Sequence, residues 1–414
     1  MIADSRIVDI ATQYGTPLYI YDRSVIKENI ESLRTSLYPG ATLCYAMKCN
    51  PLMGICEVFR NEGLSIEVAS AGEMNVALGA GYDGCDITFT SPGKTHEEIE
   101  FAIKNNVKLI NIETMREAHI IDEIAGALGR IQKIGIRVNP SVCFSNAKIK
   151  MSGVSSQFGI EEEDLNDAFF EELKSLRNIE IAGIQVYMGT QMLLSTDILK
   201  NTEYIIELGI RLSSEYGFTL KYLNCGGGFG VKYFKNETEL DMDALKDGMS
   251  ELHKRFGDKL TGTEVIFESG RFLMATAGVM ATKVLYTKES KGMKYVICDG
   301  GSNIHSSAAF LGRFVRNNFP MHTIPDIEDK QVTTICGPLC TSLDVIGQKV
   351  EVSSSLAEND MVVIEMSGAY GYTYSPNRFL SHESPAEVLS DGDSTTLLRK
   401  RGNRNDYLDG QLLL

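Results

Sequence analysis

Apolar residues in this chain cluster in short runs. The first 270 residues hold eight of them, each closing on a polar, glycine-rich or ionisable position. The runs are ATLCYAM (41–47), LSIEVAS (64–70), DITFTSP (86–92), KLINIET (108–114), KIGIRVN (133–139), IEIAGIQVYM (179–188), LKYLNCGGG (220–228) and EVIFESG (264–270). Most gaps between them are long enough for a helix, and alternating strand and helix signals imply a parallel sheet. Eight such units predict an α/β fold, a (β/α)8 barrel, whose active site lies at the C-terminal ends of its strands. Lys48, Glu67, Glu113, Arg137, Tyr187, Gly226–Gly228 and Glu268 stand at those ends and are expected to converge.

The intervening helices carry their own start signals. HEEIEFAIKN (96–105) follows Thr95 with glutamates early, where an N-cap oxygen and the helix dipole favour them. Thr114 opens TMREAHIIDEIAG with Glu117 three residues later, a capping-box spacing, and Gly126 marks its end. Ahead of the barrel, TPLYIYD reads as a short strand followed by a helix reaching about Ser36. After Phe272 the pattern changes to β-rich runs, VMATKVLYTKE, KYVICDG, QVTTICG, GQKVEV, DMVVIEM and PAEVLS, punctuated by glycine, proline and aspartate. The expected organisation is a barrel domain over 1–270, including that N-terminal strand and helix, and a C-terminal all-β domain over 271–414.

Composition narrows the classes. At 414 residues the chain suits a barrel of about 250 residues plus a second domain. Apolar residues make up 43% and charged residues 23%, as in an ordinary globular protein. A net charge of −15 argues against nucleic acid as a partner. No apolar stretch approaches the ~18 residues of a membrane span, and MIADSRIVDIATQYG lacks the apolar core of a secretory signal. The nine cysteines form no CxxC pair, so neither a disulfide framework nor a metal site is expected, and a reduced cytoplasm is the simplest setting.

Three features carry chemistry. Lys48, in CYAMKCNP, is either an ordinary surface lysine or one whose amine desolvation suits to Schiff-base formation. Gly226, Gly227 and Gly228 make either a tight strand-to-helix turn or a backbone cradle for phosphate, after the seventh strand where this fold often binds phosphate. Glu268, in IFESGRF, either pairs structurally with Arg271 or faces a pyridine nitrogen and keeps it protonated. Together the lysine, glycines and carboxylate outline pyridoxal 5′-phosphate. Farther on, Cys340 in CGPLCTSLD is a buried structural thiol or a proton donor. Tyr370 in SGAYGY is a core aromatic or a phosphate contact, and His305 in DGGSNIHSS is structural or substrate-facing.

The ordered motifs YAMKCNP, EVASAGEM, SPGKT, RVNP, QFGI, GTQ, GGGFG, ESGR, GPLC and GAYG resemble the fold-type III pyridoxal phosphate decarboxylases, the diaminopimelate and ornithine decarboxylase group, from about Thr16 to about Glu387. The resemblance implies that Lys48 is the Schiff-base lysine and Glu268 the pyridine partner. It implies that Gly226, Gly227, Gly228, Gly270, Arg271 and Tyr370 bind phosphate, and that Glu67 and Arg137 support the cofactor. Cys340 matches a cysteine that a partner subunit contributes to the site, which implies a homodimer with shared active sites.

Two positions depart from the family pattern. Tyr187 stands where better-known members place a histidine that stacks on the cofactor ring; a tyrosine can still stack. Thr341 stands where the diamino-acid decarboxylases place an acid for the distal ammonium of substrate. AKIKMSGVSSQFGI, VYMGTQ, ESGRFL, GPLCTSLD and GAYGYTYSPNRFLSH are similar to a branch in specialised metabolism, the glutamyl-carrier-protein decarboxylase group of butirosin biosynthesis, with siderophore relatives that act on citrate-conjugated amino acids. An amino acid already conjugated at its far end is thus the expected substrate, with free diaminopimelate, lysine or ornithine as the alternative. An acyl carrier protein then becomes a candidate partner, and Arg399, Lys400, Arg401 and Arg404, or Arg313 with Arg316, are candidate basic patches for it. A racemase on this barrel would set an arginine against the pyridine nitrogen, and a cofactor-free binding protein would not need Lys48 and the triple glycine; Glu268 opposes both.

Overall fold

The computed structural model describes residues 2–142, 155–309 and 317–414, in two compact units. One unit comprises Ile30–Lys232 and Thr238–Phe272. Its parallel strands are β1 (Thr42–Ala46), β2 (Ser65–Val68), β3 (Ile87–Thr90), β4 (Leu109–Ile112), β5 (Gln132–Asn139), β6 (Ile179–Gln185), β7 (Tyr222–Asn224) and β8 (Glu264–Ser269). They hydrogen-bond in the order β4-β3-β2-β1-β8-β7-β6-β5, and β4 pairs with β5 to close the barrel. Every residue of β3 and β4 is buried, because a closed parallel barrel is covered on both faces; the polar members Thr88, Thr90 and Asn111 are buried with the rest, and Asn111 Nδ2 donates to Thr90 Oγ1 at 2.8 Å.

The caps hold local structure in place. Helix His96–Lys104 starts with a reciprocal box, in which the Thr95 hydroxyl accepts from Glu98 N–H and the Glu98 carboxylate accepts from Thr95 N–H. Thr114 likewise caps helix Met115–Ala127 by accepting from Glu117 N–H. The Glu117 carboxylate, however, accepts from Glu113 N–H instead of from its cap residue.

The second unit comprises the segment ending at Asn29, Tyr233–Glu237 and Leu273–Leu414. It is built mainly of strands, and here the expected domain division is revised at the N-terminus. Strand Leu18–Asp22 runs antiparallel to Gly278–Ser290 and parallel to Ala386–Asp391, so it is a central strand of this sheet. Helix Asp4–Tyr14 buries Ile7 and Ile10 in the same core, with Leu18, Ile20, Val279, Val363 and Val388. The apolar alternation of the first 29 residues is thus satisfied by strands far along the chain. Ser394–Arg399, which the apolar pattern did not single out, pairs with Ala386–Asp391 at the edge of this sheet, where a largely solvated strand needs no apolar alternation. Among the described residues, no helix is long and apolar enough to cross a membrane.

Candidate active site

In the barrel unit, β1 runs into a single turn, Met47–Cys49, that carries Lys48. The last residue of β1, Ala46, stands in register with Glu67 of β2. This places Lys48 Nζ 2.8 Å from Glu67 Oε2 and 5.9 Å from the centroid of the Tyr187 ring. Glu67 is buried, whereas the Lys48 side chain is 41% exposed, so the amine is anchored at one side and open at the other.

Glu268 lies in β8, fully buried. Desolvation, followed by the nearby Glu67 charge, pushes its pKa up to about 7, although Lys48, a hydrogen bond from Asn224 and Arg137 pull the other way. That bond runs from Asn224 Nδ2 to Glu268 Oε1 at 2.7 Å.

The triple glycine follows β7. Gly226 and Gly228 have φ of +63° and +91°, the left-handed region where a side chain is strained. Space excludes side chains as well: a Cβ would lie 2.4 Å from Val186 O at Gly226, 2.0 Å from Glu268 O at Gly227 and 2.2 Å from Gly189 O at Gly228. The Gly226 N–H donates to Asn224 Oδ1. The N–H groups of Gly227 and Gly228 have no hydrogen-bond partner among the described residues. Gly270 is equally constrained, since its Cβ would stand 2.6 Å from Cys49 Cβ; this close approach sets the start of Arg271–Met274 against the Lys48 turn.

A second row of buried charge flanks these groups. Arg137 Nη1 pairs with Glu113 Oε1 at 2.7 Å, and its guanidinium sits 4.7 Å from the centroid of the Phe158 ring. The other Glu113 oxygen accepts from Gly159 N–H at 2.8 Å. Lys94 Nζ pairs with Glu117 Oε1 at 3.0 Å with both side chains out of solvent. Burial lowers the Lys94 pKa and raises that of Glu117.

The remaining sequence-predicted residues belong to the second unit. His305 is fully buried: its Nε2 shares a hydrogen bond with Ser367 Oγ at 2.9 Å, its Nδ1 accepts from Ala308 N–H, and its ring meets Phe319 edge-on. The geometry therefore favours the structural reading of His305 over the substrate-facing one. Tyr370 is partly buried with φ of +54°, a conformation uncommon outside glycine. Its carbonyl accepts from the Ser307 hydroxyl, and its ring meets that of Tyr374 edge-on.

Cys340 is exposed on the loop between strands Lys330–Cys336 and Val345–Ser353, and Thr341 follows it. Asp344 builds this loop from within, accepting from Ser302 N–H at 2.6 Å and Leu339 N–H at 2.7 Å. The basic run near the C-terminus is partly structural. Arg399 pairs with buried Glu387, Arg401 donates to Pro17 O and Tyr14 O, and the exposed Arg404 lies 3.7 Å from Glu383 Oε1, which leaves Lys400 at that patch. Arg313 and Arg316 lie outside the described residues.

Sequence reasoning missed Asn224, Lys94 and Glu117 as members of the site's polar framework. Asn224 stands just ahead of the three glycines and Lys94 sits in SPGKT, so motif context was the available signal; hydrophobic periodicity carries none.

Residues 23–275 match the family model described as the pyridoxal binding domain of pyridoxal-dependent decarboxylases. The chain is 38% identical over 414 residues to the L-glutamyl-[BtrI acyl-carrier protein] decarboxylase of Niallia circulans, covering 99% of this chain and 96% of that one. It is 30% identical over 405 residues to the diaminopimelate decarboxylase of Aquifex aeolicus, covering 97% and 92%. The crystal structure of the M. jannaschii diaminopimelate decarboxylase in complex with L-lysine superposes with a TM-score of 0.88 at 26% identity, covering 99% of this chain and 95% of that one. The residues present fit pyridoxal 5′-phosphate. The barrel mouth offers a partly open amine and a carboxyl that still holds a proton near neutrality, beside a glycine turn with two adjacent N–H groups free to receive an anion.

Proposed function

The chain belongs to the pyridoxal-dependent decarboxylase family and takes pyridoxal 5′-phosphate as its cofactor, and on that premise we propose that it decarboxylates an L-amino acid whose distal end is conjugated, as a carrier-protein thioester or an amide. Thr341 carries this reading. The diamino-acid decarboxylases resembled here use an acid at that position, and the next carboxylate along this loop, Asp344, spends both oxygens on backbone N–H groups. An ammonium desolvated there would lack a counter-charge, at a cost of roughly several kcal/mol. A substrate whose far end is already an amide or thioester needs no such partner. The glutamyl-carrier-protein relative supports the same class and makes a carrier protein the expected partner.

Lys48 supplies the amine that holds the cofactor covalently, and Glu67 orients it through their 2.8 Å contact. Gly227 and Gly228, with Gly270 and Arg271, would receive the phosphate. Tyr187, its ring centroid 5.9 Å from Lys48 Nζ, would offer its ring face to the cofactor, and Arg137 would support it from the neighbouring charge pair. Once bound, the cofactor supplies an electron sink for the pair left when CO2 departs. Glu268 keeps a proton at the pyridine nitrogen; a carboxyl titrating near 7 has one to share at neutral pH, and the resulting carboxylate is stabilised by the charge it faces. Cys340, exposed on its loop, is assigned to deliver a proton to Cα from a second copy of the chain, in a homodimer with shared sites. The enzyme is assigned to the cytoplasm and to specialised metabolism of the antibiotic type.

The test is CO2 release by cofactor-loaded protein with glutamate loaded on a carrier protein, set against free diaminopimelate, lysine and ornithine. Turnover confined to the loaded amino acid is expected. Efficient turnover of a free diamino acid would overturn this reading and return the chain to the activity of its diaminopimelate-decarboxylase relatives.

A further inference from the structure

Asn224, the last residue of β7, is buried at 1% exposure and uses both ends of its amide. Nδ2 donates to Glu268 Oε1 at 2.7 Å, and Oδ1 accepts from Gly226 N–H at 2.9 Å. Glu268 N–H in turn donates to Gly226 O at 2.7 Å. Asn224, Gly226 and Glu268 therefore close a three-membered ring of hydrogen bonds that ties β7, the glycine turn and β8 together. Of the small polar side chains, only an amide supplies a donor and an acceptor at these two points at every pH. Reversing the amide would set oxygen against carboxylate and N–H against N–H, so the neighbours fix its orientation.

We infer that Asn224 is a positioning residue that holds the Glu268 carboxylate and the glycine turn as one unit, so that the pyridine end and the phosphate end of the cofactor site are set together. Without the amide, Gly226 N–H is buried and unsatisfied, and the left-handed turn loses the contact that selects it. Glu268 simultaneously loses its charge-assisted donor. The inference rests on the assignment of Glu268 to the pyridine ring.

The experiment compares Asn224→Ala, Asn224→Asp and Glu268→Gln with wild type. Two quantities are read: the affinity of the cofactor-free protein for pyridoxal 5′-phosphate and for pyridoxal, which lacks the phosphate, and the pH profile of the bound cofactor's absorbance. Loss of a hydrogen bond to a charged group corresponds to about 10- to 100-fold, so Asn224→Ala is expected to weaken pyridoxal 5′-phosphate binding by that factor and to shift the absorbance profile. Asn224→Asp keeps the acceptor for Gly226 N–H but lacks the donor while ionised. Protonated, an aspartate side chain donates again, so this variant is expected to recover toward wild type as pH falls, which Asn224→Ala cannot do. Identical behaviour of the two Asn224 variants at every pH, or a wild-type absorbance profile in both with only the melting temperature lowered, overturns the inference. If Glu268→Gln leaves the absorbance profile unchanged, the ring assignment itself fails. If Glu268→Gln alters it while both Asn224 variants match wild type, only the Asn224 inference falls.

Discussion

Lys48 and Glu67 meet as an ion pair across two adjacent barrel strands, Nζ to Oε2 at 2.8 Å, with the carboxylate buried and the amine side partly open. Register makes the pair: Ala46 stands opposite Glu67, and the turn that follows carries Lys48 back over it. Lys48→Ala is expected to lose the borohydride-reducible link to the cofactor and to lower kcat by at least about 10³-fold, as when a covalent group is removed. Glu67→Gln keeps the shape and loses the charge, so the expected drop is smaller, about tenfold. Mass analysis after borohydride reduction, beside a CO2 assay, checks both.

Glu268→Gln removes the ionisable partner without opening a cavity. Bound cofactor should be retained while kcat falls about 10²- to 10³-fold, the scale of one lost electrostatic stabiliser in a closed site. Near-normal kcat in that variant would remove Glu268 from the chemistry.

The raised pKa of Glu268 also governs the stability of the cofactor-free protein. Its carboxyl titrates near 7 folded against an ordinary value of 4.5, so between those limits the folded state holds more protons than the unfolded one. Stability then falls as pH rises through that window, by about 1.4 kcal/mol per pH unit for this one group, and levels off above it. Denaturation of wild type and Glu268→Gln from pH 4.5 to 8 checks this, because the difference between them should carry that slope. A pH-independent difference would contradict it.

Lys94 and Glu117 form an ion pair out of solvent, with burial depressing the lysine and elevating the acid. Lys94→Met leaves Glu117 unpaired and is expected to cost about 3–5 kcal/mol, whereas Lys94→Met with Glu117→Gln should recover much of that loss. Urea denaturation of the two single variants and the double variant gives the coupling directly.

Thr341 is the position through which substrate choice should be reversible. Thr341→Asp restores the acid at the place where the diamino-acid decarboxylases carry one. It is expected to raise kcat/KM for a free diamino acid at least about tenfold while lowering that for a conjugated substrate. Competition assays with the two substrate classes check the direction of each change.

The barrel was legible in the amino-acid sequence because a parallel strand covered on both faces is buried throughout and therefore mostly apolar, with few polar members. Ile87–Thr90 and Leu109–Ile112 are buried at every position, and Glu67, Arg137 and Glu268 lie buried in other barrel strands, with Lys48 in the turn after one. Helix starts at Thr95 and Thr114 were legible for a similar reason, since capping is a local exchange within four residues. Partners distant in sequence left no such trace. Leu18–Asp22 satisfies any half-buried sheet, and only its ladders to Gly278–Ser290 and Ala386–Asp391 place it in the second unit. His305 sits in a polar stretch, yet Ser367 and Phe319 close around it. Asn224 has no periodic signature, because its two hydrogen bonds depend on where β8 and the glycine turn come to lie. Sequence by itself determined where the barrel strands lie, through burial acting on each strand alone. Tertiary structure decided which side chains pair, because charge and hydrogen bonding act at distances of about 3 Å that only the closed barrel brings about.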